Sequence, residues 1–155
     1  MYMLPIRVFD KNTDLRRVKK FFKQMGGESR GFFNRGRLNE KIALGFFQNK
    51  AGRENSRYAF FMALDGDDMA GYVYLSDMHK SIVWLGIAVA DNWKGKHLGR
   101  DLMNFAEAHV KSLNKGGIML TVSHANVRGQ SLYEHCGYER LGVHCQGELL
   151  FLKRF

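Results

Sequence analysis

The sequence predicts a mixed α/β (α+β) domain, one mixed sheet with helices on both faces. Three observations carry this. Between residues 57 and 90, three apolar runs are divided by short polar turns, the pattern of an antiparallel meander. Between residues 82 and 123, an apolar run, an amphipathic stretch and a second apolar run succeed one another. That order is a strand, a crossover helix and a strand parallel to the first. Apolar residues at helical spacing toward both ends of the chain supply the layers that cover the sheet.

The elements follow in order. Residues 4–9 are a short apolar stretch and the first strand. Asn12 or Thr13 can cap the next helix, whose apolar positions Leu15, Val18, Phe21, Phe22 and Met25 share one face, and Gly26-Gly27 ends it. Residues 28–36 mix charge with Phe32 and Phe33. They read as a loop able to line a pocket, or as a surface loop with two buried anchors. Residues 38–47 read as a second helix and 48–56 as a polar loop. Strands follow at 57–64 and 69–75, joined by the tight turn Asp65-Gly66-Asp67-Asp68, and at 81–90 after a turn at 77–80. Leu98, Leu102, Phe105, Ala106, His109, Val110 and Leu113 lie on one helix, which Gly116-Gly117 stops. Residues 118–123 form an apolar strand. Asn126 starts a helix that carries Leu132 and Tyr133 and ends at Gly137, and the last two strands occupy 139–144 and 148–155.

The 155 residues, 45% apolar and 25% charged, suffice for one domain with a real core, over residues 1–155. The only proline, Pro5, leaves no proline-rich linker. No apolar run approaches the roughly 20 residues that cross a bilayer. The stretch from Met1 to Arg7 lacks the basic-then-apolar pattern of a leader. A soluble, cytoplasmic protein without a membrane partner is expected. Cys136 and Cys145 make no disulfide framework, and His135 beside Cys136 has no second pair at zinc spacing, so no metal is expected. The formal net charge of +9 favours an anionic partner: a nucleotide cofactor, RNA or an acidic substrate. Much of it falls early, at Arg16, Arg17, Lys19, Lys20, Lys23, Arg30, Arg35 and Arg37, where a solvated helix face is the plainer account.

One stretch organises the rest. Residues 91–102 run from an apolar strand through a basic turn, Lys94-Gly95-Lys96-His97-Leu98-Gly99, into a helix. Free N–H groups at a helix N-terminus next to lysines make an anion site, suited to a phosphate-bearing cofactor. The turn is no P-loop, because no Gly-Lys-Ser/Thr follows, and its glycine spacing is not the dinucleotide fingerprint. A second motif stands beyond the next strand, from Asn126 through Leu132-Tyr133-Glu134 to Gly137-Tyr138.

Together the two motifs resemble the GNAT family of N-acetyltransferases, from about residue 82 to 138. Val89 sits at the family's strand-end valine, Lys94 at its Arg or Gln, Gly99 at the last glycine of its pyrophosphate turn, and Asn126 and Tyr133 at its Asn and Tyr. His97 stands where the family has its middle glycine. A side chain there limits backbone approach to phosphate unless the loop shifts or the histidine donates. Lys94 keeps the charge of arginine and loses its fork.

The resemblance implies a mostly antiparallel sheet with a splayed parallel pair and direct acetyl transfer from acetyl-CoA to an amine of a small molecule or a protein. Backbone groups of Ile87 and Val89 would bond the pantetheine arm, and Asn126 would meet it from the other side. N–H groups of Lys94, Gly95, Lys96, His97, Leu98 and Gly99 would hold the pyrophosphate. Tyr133 would protonate the departing thiolate. The strand at 81–90 has no carboxylate, so the base is open among Glu28, Asp77, His79, His124 and a water chain. Cys136 reads as core. Two alternatives stand beside this reading: an RNA-directed enzyme acting on charged tRNA, motivated by the charge, and a non-catalytic CoA-binding regulatory module. Dimers are common in that family, so a homodimer stands as the alternative to a monomer.

Overall fold

The computed structural model describes residues 2–32, 45, 47, 57–144 and 147–155. Strands β1 (Ile6–Val8), β2 (Ala59–Asp65), β3 (Asp68–Ser76), β4 (Ile82–Val89), β5 (Gly117–Val122), β6 (Glu139–Val143) and β7 (Leu149–Arg154) form one sheet in the order β1-β2-β3-β4-β5-β7-β6. Every pairing is antiparallel except that of β4 with β5. The connection between those two is α3 (Leu98–Ser112), the crossover helix the sequence predicts. All strand ends fall within two residues of the sequence reading.

Alternation along the strands divides the apolar residues between two cores. On one face Phe61 and Ala63 of β2 meet Leu98, Leu102, Met103, Ala106 and Val110 of α3, with Tyr133 of α4 (Val127–His135) in the same cluster. On the other, Phe60 and Met62 meet Val18, Phe21 and Phe22 of α1 (Leu15–Lys23). Val18 and Phe22 are 0% exposed, and each such side chain contributes about 1.5–3 kcal/mol by leaving water.

The N-terminal third departs from the sequence reading. The residue that precedes α1 is Asp14, not Asn12 or Thr13, and its side chain makes no cap bond. Its carboxylate instead accepts both guanidinium nitrogens of Arg7 at 2.7 and 2.7 Å, Arg17 at 2.8 Å and the Asp10 N–H at 2.7 Å. Charge-assisted bonds of this kind outweigh one capping bond. Burial pushes the Asp14 carboxyl up, but the Arg7 and Asp10 hydrogen bonds and the two arginine charges together bring it below the usual carboxylate range. The basic run on α1 is also partly paired. Arg16 and Arg17 meet Asp67 at 2.8 and 2.6 Å, and Lys20 meets Asp68 at 2.8 Å. The β2–β3 turn thus pairs three of the early basic residues and leaves the net charge of +9, which already counts Asp67 and Asp68, unchanged.

Glycines 26 and 27 do not simply end a helix and open a loop. After α1 stops at Lys23, Gly27 begins a second helix, α2 (Gly27–Phe32), so the segment expected as a loop is helical as far as Phe32. Residues 33–36 of that expected loop, and the polar loop at 48–56, lie outside the described residues. Of the helix expected at 38–47, Gly45 and Phe47 are described, and both are helical. Phe47 is buried against Phe9, Phe60 and Tyr72, with ring centroids 5.4, 5.3 and 5.1 Å away. Among the described residues no helix is long and apolar enough to cross a membrane, and no cluster of His, Cys, Asp or Glu could hold a metal.

Candidate active site

The site begins where β4 and β5 part. Their ladder joins Ile82, Val83 and Trp84 to Gly117, Ile118 and Met119 and goes no further, although β4 continues to Val89 and β5 to Val122. The Ala90 N–H donates to the Ala70 carbonyl across the β3 edge at 2.7 Å. Successive residues of a strand aim their polar groups at opposite edges. Val89 and Ile87 therefore present their backbone groups to the β5 side, into the splay. These two are the strand positions the sequence reading had selected.

Beyond β4 the chain makes a 3-10 turn, Asp91–Trp93, and then the basic turn. Gly95 takes φ 76° and His97 φ 67°. Only a left-handed residue reverses the chain sharply enough here for α3 to start at Leu98, and His97 occupies the position despite its Cβ. The His97 side chain makes no cap bond to α3. The opening N–H groups of this fifteen-residue helix are therefore not satisfied by a side-chain cap, and they face an anion-favouring dipole end. Outside contacts pin the turn. Trp93 Nε1 donates to Asp65 at 3.0 Å, and Lys96 Nζ lies 5.2 Å from the Trp93 ring centroid. Gly99 sits close to α4: a Cβ there would lie 3.0 Å from Leu132.

Splay and turn open into one cleft of about 720 Å³. Ile87, Val89, Lys94, Gly95, His97, Leu98, Gly99 and Asn126 line it, while Lys96, which lies over Trp93, does not. Asn126 caps α4, its Oδ1 accepting the Gly129 N–H at 2.9 Å. The sequence reading missed two groups of wall residues. Arg100 and Arg128 lie within the two stretches but were given no role, and their place in the first turns of α3 and α4 was a signal that could have found them. The segment from Met25 to Ser29 comes from a distant part of the chain; the reading of residues 28–36 as able to line a pocket holds for Glu28 and Ser29, while Met25, Gly26 and Gly27 had been read as a helix end.

Tyr133 is buried, 6% exposed, with Tyr138 and Phe151 ring centroids 6.3 and 5.9 Å away. It does not line the cleft; its neighbour Leu132 does. Burial first, then nearby Cys136 and Glu148, push its phenol up, so it stays protonated at neutral pH. Of the four candidate base side chains, Glu28 lines the cleft. Asp77 and His79 precede β4, at the opposite end of the strand from Val89, so the length of β4, on the order of 20 Å, separates them from the splay. His124 follows β5 and is exposed, its carbonyl accepting Gln130 at 2.9 Å. Burial also raises the Cys136 thiol, as suits a core residue. Cys145 lies outside the described residues.

The family model for the acetyltransferase (GNAT) family matches residues 18–138. The chain belongs to the GNAT acetyltransferase family. No curated protein sequence matches it. Solved structures of this GNAT fold do. The GNAT domain of S. lividans PAT superposes with a TM-score of 0.83 at 15% identity, covering 97% of this chain and 89% of that one. Spermidine N-acetyltransferase from Vibrio cholerae, in complex with CoA and spermine, gives 0.78 at 19% identity over 97% and 95%. PaiA N-acetyltransferase from Thermoplasma acidophilum, in complex with coenzyme A, gives 0.75 at 17% identity over 98% and 99%. At these identities the likeness concerns the fold, and it accounts for the mixed sheet with its one parallel pair.

Proposed function

We propose that this GNAT domain transfers an acetyl group from acetyl-CoA directly to an amine of a small molecule or a protein. One observation carries the reading. The polar backbone edge of Ile87 and Val89 opens into the same cleft as the N-terminus of α3, with Lys94 beside it. An amide-rich arm ending in a pyrophosphate matches that sequence of donors and acceptors.

The residues present fit the group. Ile87 and Val89 would pair with the pantetheine amides as a neighbouring strand would. The N–H groups of Gly95 and of His97 to Gly99, which line the cleft, would meet the pyrophosphate, with the Lys94 charge beside them. Arg100 and Arg128 add positive charge to the cleft and, among the described residues, neither is held in an ion pair. Bound acetyl-CoA supplies the acetyl group as an activated thioester. The N–H of Val89 or of its neighbour would stabilise negative charge on the thioester oxygen. Tyr133, buried behind the cleft-lining Leu132, would give its proton to the departing sulfur, its raised phenol being a weaker acid than a free tyrosine. Glu28, or water held beside it, would take the proton from the amine.

The test is acetyl transfer to a panel of amines, from polyamines to peptide N-termini, with wild type and Tyr133→Phe. The wild type should turn over at least one class. The Tyr133→Phe chain should keep its acetyl-CoA KM within a few-fold and lose about 100-fold in kcat. Intact turnover in Tyr133→Phe would remove the proton-donor role. Acetyl-CoA binding without transfer to any amine would favour a non-catalytic module.

A further inference from the structure

Asp91 has no part in the transfer chemistry above, yet its carboxylate is wholly engaged. Oδ2 accepts the Gly26 N–H at 2.6 Å, and Oδ1 accepts the Ser29 hydroxyl at 2.6 Å. Lys94 Nζ stands 3.2 Å from Oδ1 and also donates to Ser29 Oγ. Gly26 and Ser29 belong to the segment that leads from α1 into α2; Asp91 and Lys94 belong to the turn after β4. All four residues line the cleft. A single carboxylate thus ties together two walls that are 65 and 62 residues apart in sequence.

The contact is shaped on both sides. A Cβ on Gly26 would lie 2.7 Å from Asp91 Oδ2, so any larger residue there would displace the carboxylate from this contact. The Ser29 hydroxyl, then the Gly26 N–H and Lys94, outweigh desolvation and hold the Asp91 carboxyl below its usual range, so it is ionised at neutral pH. The same bonds dock the chain entering α2, helical over Gly27–Phe32, onto the turn after β4. Lys94, a residue placed at the pyrophosphate, is held between the walls rather than left to move in solvent, at 27% side-chain exposure.

We infer that Asp91 is a positioning residue that docks the α1–α2 segment on the pyrophosphate turn and holds Lys94 between them, so that the cleft is formed before the cosubstrate arrives. This rests on the acetyl-CoA reading of the same cleft. A preformed wall spares the ligand the cost of ordering it. Because Asp91 acts through the walls and Lys94, its loss weakens cosubstrate binding and leaves the proton transfers unchanged.

Two measurements test this on the full chain. In the first, amide hydrogen exchange without ligand compares wild type with Asp91→Ala. Exchange at Gly26 should be about tenfold faster or more in the variant, and unchanged exchange overturns the docking. In the second, steady-state kinetics compare Asp91→Ala, Ser29→Ala, Gly26→Ala and the Asp91→Ala/Ser29→Ala pair. The acetyl-CoA KM should rise about tenfold in Asp91→Ala with kcat within about twofold, and Gly26→Ala should reproduce the rise from the opposite side. The pair should match Asp91→Ala alone, since both changes break one contact. An unchanged KM in Asp91→Ala, or additive effects in the pair, overturns the inference. If Asp91→Ala does not fold, Asp91→Asn carries the same test: it drops the charge and keeps the shape, with a rise of about threefold expected. If the wild type binds no acetyl-CoA, the cosubstrate reading fails, and the docking then stands or falls on the exchange result.

Discussion

Replacing His97 by glycine tests how the pyrophosphate turn is built. His97 stands at φ 67°, ψ 10°, and a left-handed backbone costs a residue with a side chain about 1–2 kcal/mol. Glycine removes that cost. It also gives the unfolded chain more freedom, which returns about 0.5–1 kcal/mol. Nothing else is lost, because the imidazole is exposed and makes no cap bond to α3. The net gain is about 0.5–1 kcal/mol, or a Tm rise of about 1–4 °C for a chain of this size. His97→Ala is the control. It keeps the strain and removes the imidazole, and histidine tolerates the left-handed region better than alanine, so it should be no more stable than wild type. Urea unfolding followed by circular dichroism, at one pH for all three proteins, gives the order His97→Gly, wild type, His97→Ala. A His97→Gly chain at or below His97→Ala in stability would refute the argument that backbone strain is what glycine relieves.

Three further outcomes follow from particular contacts. Asp14→Asn should lose about 1–3 kcal/mol in chemical denaturation, because two arginines lose a charged acceptor; the 39% exposure of Arg7 keeps the loss below that of a fully buried pair. The folded Asp14 pKa lies below 3.8, so its stabilisation is complete above 3.8 and is lost as pH falls through the folded value; Asp14→Asn should flatten that acid arm of the wild-type stability curve. His109 runs the other way from a paired histidine. Burial lowers its pKa below 6.5, so the neutral ring against Phe61 stabilises above 6.5, and that contribution is lost as pH falls below it. Tm measured from about pH 7.5 down to 5 should fall less in His109→Phe than in wild type. Gly86→Ala should cost about 1–3 kcal/mol, because a Cβ there would lie 2.2 Å from the Tyr74 ring. A double-mutant cycle with Tyr74→Val should show a coupling of about 1 kcal/mol or more, and simple additivity would deny the contact.

The legible parts of the sequence were those with local causes. The β2–β3 turn is two residues, with Gly66 at φ 61°, so its Asp-Gly signal and the alternation on either side placed both strands. The order strand, helix, strand from Ile82 to Val122 dictated a parallel pair, because a right-handed crossover permits little else. Asn126 was read as a helix start, and its side chain does cap α4. The basic turn was legible as the entry to a helix because glycines and an amphipathic run are adjacent in sequence. Other readings failed where a distant partner decided the outcome. Asp14 displaced Asn12 and Thr13 from the helix start because Arg7 and Arg17 gather on its carboxylate. The first basic run does lie on a solvated helix face, but its ion pairs were not legible because their acceptors, Asp67 and Asp68, lie about fifty residues on.

The sequence alone therefore determined the order of the strands, the parallel pair and the two motifs. Each follows from neighbours within one turn or one crossover of the chain. Tertiary structure alone decided which residues share the cleft. It set Glu28 and Arg128 on its walls and put the length of β4 between Asp77 and the splay. It also buried Tyr133 with a raised phenol and joined Gly26 and Ser29 to Asp91. Those outcomes depend on hydrogen bonds, ion pairs and burial between segments far apart in sequence, and periodicity within a segment carries no record of which distant segment it will meet.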